Sequence, residues 1–348
     1  MKPSKAIYYS AASLLPTGIL KKVAPAGSLL PYHHLVSDEE VLHVKHLYPY
    51  KNIRQFTDDL EHLLKHYRPV SVEELAGAVL SGKKTPSGAF LLSFDDGFRE
   101  VYDIIAPILL ARGVPAVFFV NPAFLDNQLL FYRCKISILI EEVLRQRERS
   151  TVLKECAEIL RDGGGGVDPS PEGLVARIRR ITNLDQGLLD GLAIPLEFSF
   201  DEYLGRRRPF LSVAQACELR DKGFTIGAHS WDHPYYDLIS PEEQVRQTLE
   251  SMEFVNKKFP SAHRLFSFPH SDANLPQSFF DRLFAERAPV ELFFGIQNQL
   301  EEPANRLLHR FNAERPDLPM SQQLNGVLLW MLIKKWSGKY SVKRKGGV

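Results

Sequence analysis

The sequence predicts an α/β protein built around a mainly parallel sheet that closes, or nearly closes, on itself. Short apolar runs recur along the chain, and segments with helical periodicity separate most of them. The length of 348 residues suits a single β/α barrel with insertions. Strands that alternate with helices usually pair in parallel. The apolar runs, the helical segments between them and the chain length therefore favour the same fold class.

Each candidate strand is an apolar run short enough to be a strand buried in a sheet. The runs cover residues 28–35, 89–94, 116–120, 224–228, 265–268, 291–296 and 306–311.

Two of the intervening helices are predicted most clearly. Residues 99–112 place apolar side chains on one helical stripe, and Gly113 follows as a stop signal. Around residue 240, Ser240 is a candidate N-cap, Pro241 suits the first helical position, and Glu243 would complete a capping box.

The barrel is expected to span residues 28–312, with a helical insertion at about 127–208. This insertion is rich in charged residues and contains four consecutive glycines that indicate a flexible turn. Residues 313–348 are expected to form a C-terminal helix and a basic tail.

Composition excludes several classes of protein. The formal net charge of +1 gives no support for a dedicated nucleic-acid-binding role. Cys134, Cys156 and Cys217 are scattered and odd in number, so neither a disulfide framework nor a zinc knuckle is expected.

The two termini bear on location. The first 22 residues are interrupted by polar residues and Pro16 and make a poor export signal, so we expect a cytoplasmic protein. Residues 327–345 join a short apolar run to six basic residues, which suits either a helix packed on the protein or peripheral contact with the inner face of an anionic membrane.

Candidate catalytic residues follow two of the predicted strands. Asp95 and Asp96 come directly after the run 89–94, and His229 and His233 follow the run that ends at residue 228. A parallel barrel brings such residues to one rim. One carboxylate and two imidazoles with open coordination positions suit a catalytic divalent cation.

The sequence resembles the polysaccharide deacetylases, carbohydrate esterase family 4. "LLSFDDGF" and "IGAHSWDHP" are similar to the first two motifs of this family, and the likeness extends over roughly residues 28–312 apart from the insertion. The insertion resembles that of deacetylases associated with bacterial surface polysaccharide synthesis.

The resemblance implies a distorted (β/α) barrel of about seven mainly parallel strands and metal-dependent removal of N-acetyl groups from an N-acetylhexosamine-containing glycan or its precursor. By the same resemblance, Asp96, His229 and His233 match the metal ligands and Asp95 matches the catalytic base. The expected metal is Zn²⁺, with Co²⁺ or Ni²⁺ as alternatives.

The third motif departs from the family pattern. Ser267 stands where an arginine is usual, so the group that orients Asp95 must come from elsewhere. We expect Arg310, on the run 306–311, to supply this charge. Pro269 and His270, in the same motif, are expected either to contact the substrate or to lie directly behind the residues that do.

The residue that protonates the leaving amine is expected to be His309, the nearest match to a late histidine of the family. Because neighbouring residues on a strand face opposite sides, His309 and Arg310 could serve one site only if the strand ended there. His34 matches a histidine on the first strand of the family and is expected to line the pocket or to form a hydrogen bond in the core.

Two further classes of function remain open at this point. The chain could be a non-catalytic carbohydrate-binding or scaffold protein on the same barrel, or a related metal-dependent amidase with a non-sugar substrate. Retention of Asp95 favours catalysis, since a binding protein needs no base beside its metal site.

Overall fold

The computed structural model of the protein describes residues 17–25, 27–161, 166–285 and 290–346. The chain divides into two compact units. The first, the barrel unit, comprises Met1–Asp38, Tyr50–Pro122 and Leu211–Val348. The second, the helical unit, comprises Glu39–Pro49 and Ala123–Phe210. Most of the N-terminal segment that makes a poor export signal, residues 1–16, lies outside the described residues.

The strands are short, and most are fully buried. They are β1 (Pro31–His33), β2 (Arg68–Pro69), β3 (Ala89–Phe90), β4 (Leu92–Phe94), β5 (Ala116–Val120), β6 (Thr225–Ala228), β7 (Leu265–Ser267), β8 (Leu292–Gly295), β9 (Glu301–Glu302), β10 (Leu307–His309) and β11 (Phe311–Asn312).

The helices of the barrel unit separate these strands. They are α1 (Thr17–Val23), α2 (Ile53–His66), α3 (Val72–Leu80), a π-helix (Val101–Ile105) continued by α4 (Ala106–Leu110), α10 (Val213–Asp221), α11 (Pro241–Lys258), α12 (Gln277–Ala285) and α13 (Met320–Trp336). The helical unit contains α5 (Tyr132–Arg145), α6 (Ser150–Ile159), α7 (Pro171–Ile178), α8 (Gly187–Ala193) and α9 (Phe200–Arg207). Short 3₁₀ turns lie at Pro122–Asn127, Tyr236–Leu238 and Pro303–Asn305.

Within the described residues, the main sheet has nine strands in the order β11, β1, β4, β5, β6, β7, β8, β10, β9. Its neighbouring strands are parallel except for β9 and β10. A separate parallel pair joins β2 to β3.

One segment connects the two ends of this sheet. Residues 307–309 pair with β8 and residues 311–312 pair with β1, with Arg310 alone between them. The Arg310 N–H donates to the Gly295 carbonyl at 2.8 Å, and the Phe311 N–H donates to the Leu30 carbonyl at 3.0 Å. When β10 and β11 are counted as one strand, the curled sheet has seven parallel strands, which confirms the predicted fold.

Each of the seven apolar runs contains a strand of this sheet, because buried parallel strands need apolar side chains on both faces. Val117 and Phe119 on β5 join Leu292 and Phe294 on β8 and Leu75 on α3 in one buried cluster. The i, i+2 spacing within each strand reflects the alternation of side chains across a sheet.

The two clearest helix predictions hold with local differences. Ser240 accepts a hydrogen bond from the Glu243 N–H at 3.2 Å, as predicted, but the Glu243 carboxylate accepts from Arg246 and Gln247 in place of the N-cap backbone. The helix predicted at 99–112 begins as a π-helix. Pro107 lacks an N–H and so cannot make the regular bond one turn back, which accounts for local irregularity.

The helical unit has its own core, in which Ile138, Leu139, Leu174 and Leu189 are fully buried. Its first segment, residues 39–49, is held to the rest of the unit by polar contacts: His43 Nδ1 lies 2.9 Å from the Tyr203 hydroxyl. The sequence interpretation placed the insertion at 127–208 and did not include this segment. Most of the predicted glycine turn lies outside the described residues.

Helix α13 packs against α1 and α2 and buries Met320, Leu324, Val327 and Leu328. Among the described residues, no helix combines the length and apolar character needed to cross a membrane. In the basic tail beyond α13, the side chain of Arg344 is only 2% exposed, because it lies between two buried carboxylates.

Candidate active site

The candidate site is built at the carboxyl edge of the sheet. Asp95 and Asp96 follow β4, His229 follows β6, Ser267 ends β7, and Arg310 lies between β10 and β11. Because parallel strands end at the same edge, the fold gathers side chains from distant parts of the chain.

Asp96, His229 and His233 form a buried cluster whose ligand atoms face one another. The Nε2 atoms of His229 and His233 lie 3.4 and 3.2 Å from Asp96 Oδ1. Within the described residues, this oxygen is buried and has no hydrogen-bond partner. A buried carboxylate oxygen without such a bond is costly unless a cation offsets its charge.

The tautomer of His229 is defined by its second nitrogen. Nδ1 lies 2.8 Å from the Ser267 carbonyl, which can only accept, so Nδ1 carries the proton and Nε2 presents a lone pair toward Asp96. Burial lowers the pKa of His233 although Asp96 opposes this, so a binding cation could readily displace its proton. Two neutral imidazoles and one carboxylate oxygen are a donor set that fits Zn²⁺, Co²⁺ or Ni²⁺.

Charge also favours an ionised Asp96. Burial by itself raises the pKa of this carboxyl group, but the neighbouring imidazoles, chiefly His233, hold it well below its usual value. The negative charge needed for metal binding is therefore present at neutral pH.

The backbone adopts uncommon conformations around this cluster. Asp96, Ser230 and His233 have φ values of 71°, 64° and 61°, in the left-handed region that such residues rarely occupy. Gly97 follows with φ of 63°, and a Cβ there would lie 3.2 Å from Val120 Cγ1. The Ser230 hydroxyl accepts from the His233 N–H at 3.1 Å, which closes the turn between the two histidines.

Asp95 is held by a bidentate ion pair with Arg310. The two guanidinium nitrogens donate to its Oδ1 and Oδ2 at 2.7 and 2.8 Å. Burial raises the pKa of Asp95, but the charge of Arg310 outweighs this and lowers it. Asp95 is therefore an ionised carboxylate, and its Oδ2 lies 4.0 Å from His229 Nε2.

Small side chains make room for the Arg310 guanidinium. It donates to the hydroxyls of Ser93 at 2.9 Å and Ser267 at 2.6 Å, and it lies over the ring of Tyr32 at 4.8 Å. Arg310 is completely buried. Ser267 stands where the family usually has an arginine. Its hydroxyl instead binds Arg310, which comes from another part of the sheet.

His34 forms an ion pair with Glu314. Its Nδ1 lies 2.7 Å from Glu314 Oε2, while Oε1 accepts from the His34 and Leu35 N–H groups, both at 3.0 Å. Burial lowers the pKa of His34, but Glu314, with smaller contributions from Asp96 and Asp95, raises it to about 9. At neutral pH this side chain is an imidazolium that is one-fifth exposed.

His270 contacts the cluster from the loop after β7. Its ring packs edge-on against His233, with 4.4 Å between centroids, and stacks on Tyr235 at 3.6 Å. Pro269, just before it, is buried.

The structure does not bring His309 to Asp95 and Asp96. Its Nε2 lies 3.1 Å from Glu302 Oε2 and its Nδ1 lies 3.9 Å from Asp272 Oδ2, while the adjacent Arg310 binds Asp95. Strand alternation therefore places the two side chains on opposite sides. The expectation that His309 donates a proton in this site needs correction, because its contacts belong to a second buried cluster.

This second cluster contains Asp272, Glu302, His309 and Arg344. The Arg344 guanidinium donates to Asp272 Oδ2 at 2.7 Å and to Glu302 Oε2 at 2.8 Å. A Cβ at Gly295 would lie 2.5 Å from His309 Nδ1, so this glycine permits the close approach. The guanidinium of Arg344 therefore already supplies the positive charge between these carboxylates.

Sequence reasoning missed several residues of the site. Glu314 could have been noticed as an acid just after the last predicted strand. Gln247 is buried on α11, and its Oε1 accepts from the Trp231 N–H at 2.9 Å, which supports the histidine turn. The amide of Asn121 binds the Ser230 carbonyl at 3.1 Å. No spacing in the sequence marks these two contacts.

Fold and site together define a class of protein: a parallel β/α barrel with a buried Asp-His-His donor set and a paired carboxylate at its carboxyl edge. The description "Polysaccharide deacetylase" belongs to the family model that matches residues 200–277, which include His229 and His233. This match supports the resemblance that the motifs of the chain show to the polysaccharide deacetylases.

A curated relative is the poly-beta-1,6-N-acetyl-D-glucosamine N-deacetylase of Escherichia coli (strain K12), which is 42% identical over 61 residues. The match covers 18% of this chain and 9% of the relative, so the two share only a short segment of their lengths.

Solved structures share the fold over most of the chain. The deacetylase PplD of Streptococcus pyogenes, solved in complex with acetate, is 14% identical with a TM-score of 0.54 and covers 87% of this chain and 99% of that one. IcaB from Ammonifex degensii is 15% identical with a TM-score of 0.53 and covers 89% and 98%, respectively.

Proposed function

We propose that this protein is a metal-dependent deacetylase that hydrolyses N-acetyl groups on an N-acetylhexosamine-containing glycan or its precursor. The match to the polysaccharide deacetylase family model supports a hydrolase of a non-peptide amide. The observation that carries the proposal is the pairing of an ionised, bidentately held Asp95 with the unbonded Oδ1 of Asp96 beside it.

Asp96, His229 and His233 would hold the metal, for which Zn²⁺ is the first candidate. A divalent cation in this position would polarise the acetyl carbonyl and make an attacking water more acidic. Asp95 would accept the proton of that water, and Arg310 would keep its carboxylate oriented and ionised.

His34 is the candidate for protonating the leaving amine. It is already charged at neutral pH through Glu314, is partly exposed, and interacts electrostatically with Asp95 and Asp96. His270 and Pro269 would border the substrate beside His233. Peripheral contact with a membrane remains a prediction.

The name of the Escherichia coli relative suggests the first substrate to try. Acetate release from poly-β-1,6-N-acetylglucosamine and from chitooligosaccharides would be measured with Zn²⁺, Co²⁺ or Ni²⁺ added. Asp95→Asn should abolish release while metal is retained, and Asp281→Asn, at an exposed position on α12, should release acetate like the parent. Binding of these sugars with no release by the parent would favour a non-catalytic binding protein, and release from non-sugar amides alone would favour an amidase.

A further inference from the structure

A cavity lies apart from the candidate active site. It has a volume of about 530 Å³, within the usual range for a small-molecule site. Its walls come from residues before β1, β2 and β3, from β9 and β10, and from helices α1, α3 and α13. His309 lines it, but Asp95, Asp96, His229 and Arg310 do not, so this cavity is distinct from the candidate active site.

The interior of the cavity is mainly apolar. Leu30, Val79, Leu308, Leu328 and Met331 are among the side chains that line it. They present aliphatic surface from a strand, the preceding loop and two helices. A purely polar ligand such as a glycan would leave this surface unused, whereas an alkyl chain would bury it.

The charged residues that line the cavity are mainly cationic. Lys21, Lys22, Lys83 and Lys84 are all exposed, and Arg306 is the fifth cation. The two carboxylates of the lining are Glu301 and Glu302, and Glu302 is already paired with Arg344. The lysines therefore favour an anionic group at the mouth.

One lining residue offers an unused donor. Tyr67 is 6% exposed, and its hydroxyl is buried without a hydrogen-bond partner among the described residues. The Nζ of Lys21 lies 4.2 Å from the centre of its ring. A buried hydroxyl of this kind is costly, and movement of the flexible Lys21 would let a ligand oxygen reach it.

We propose that this cavity binds one alkyl chain of an anionic amphiphile, which lies against the aliphatic wall while the carboxylate or phosphate of the ligand lies at the lysine mouth. The site is independent of the proposed deacetylase activity. Such a chain could come from a free fatty acid or from a membrane lipid. Helices α1 and α13, which contribute to the walls, also expose Ile19, Val23 and Trp336 outside the cavity, which suits contact with a bilayer.

Two probes separate these sources: a dansyl-labelled fatty acid in solution, and vesicles of phosphatidylglycerol compared with phosphatidylcholine. Val79→Trp should fill the cavity, and Val79→Ala should leave it open. The double variant Lys83→Glu with Lys84→Glu reverses the charge at the mouth. Lys257→Glu with Lys258→Glu makes the same charge change at the exposed end of α11, away from the cavity.

The fatty acid should bind the parent and Val79→Ala, and should bind Val79→Trp and the mouth variant about tenfold more weakly. The α11 variant should bind like the parent. Equal binding by every variant, or equally tight binding of a neutral dansyl-labelled alcohol, would overturn the proposal.

Vesicle binding that depends on phosphatidylglycerol and is weakened by Val79→Trp would identify a membrane lipid as the source. Vesicle binding insensitive to Val79→Trp, with no binding of the free fatty acid, would mean surface attraction only and would also overturn it.

Discussion

Replacing Arg310 with Met tests how Asp95, the proposed base, is kept ionised. Methionine keeps the unbranched aliphatic stem but has no guanidinium, so the substitution removes both hydrogen bonds to Asp95 and the positive charge beside it. The group that remains is a carboxylate that is only 3% exposed. Without Arg310, the main group that lowers the pKa of Asp95 is gone, and burial raises this pKa.

The magnitude follows from the geometry. Opposite charges about 4 Å apart interact by about 4 kcal/mol at an effective dielectric constant of 20, and an arginine neighbour commonly lowers the pKa of an aspartate by about 1 to 3. The pKa of Asp95 should rise by about that amount in Arg310→Met. Since the base must be deprotonated, the acidic limb of the rate profile should move to higher pH by about 1 to 3 pH units.

The assay is the pH dependence of kcat/KM for acetate release by metal-loaded protein. Arg310→Lys keeps a positive charge without the bidentate geometry, so it should lower the plateau but move the acidic limb less. Arg264→Met removes a partly exposed arginine that pairs with Glu291 and serves as the control. A folded, active Arg310→Met protein with the acidic limb of the parent would refute this account of the base.

Three further predictions concern metal, pH and stability. Asp96→Ala and His229→Ala should each lose the divalent metal measured by elemental analysis, whereas His62→Ala should keep it; retention in both site variants would exclude this donor set. Because the pKa of His34 is raised from 6.5 to about 9, its ion pair with Glu314 should stabilise the fold by about 3 kcal/mol below pH 6.5, and this advantage should disappear as pH rises through 9. Urea unfolding of His34→Gln across this range tests it, and a constant difference from the parent would contradict it. Arg344→Ala leaves two buried carboxylates without their cation and should cost about 3 to 5 kcal/mol of unfolding free energy, in contrast to the exposed Lys343→Ala, and equal stability of the two would contradict the role of Arg344.

The strands could be predicted because their burial leaves a direct mark on the sequence. A strand covered on both faces must be apolar along its length, so each run of such residues contained one. The structure trims the runs by up to a few residues, as in the run 28–35, where only Pro31–His33 forms β1. The polar residues that follow such runs had to lie at one edge, which is why Asp96, His229 and His233 could be expected together.

The second buried cluster could not be predicted in this way. Asp272, Glu302, His309 and Arg344 come from four separate segments, and their contacts depend on how the tail returns to the barrel unit after α13. No spacing between these residues indicates the cluster. A basic tail is ordinarily solvated, so its composition gave no reason to expect one of its arginines in a buried ion pair.

The position of Arg310 links closure of the sheet to the chemistry proposed for it. The segment 307–312 pairs first with β8 and then with β1, and Arg310 is the residue at which it changes partner. Its backbone therefore belongs to the seam of the barrel, while its side chain reaches Asp95 after β4. An arginine on β7, where the family usually has one, would compete for the space that Ser267 leaves open. Because Arg310 lies at this seam, the barrel must close correctly before Asp95 acquires its partner. The ion pair proposed to keep the base ionised therefore forms only in the completed fold.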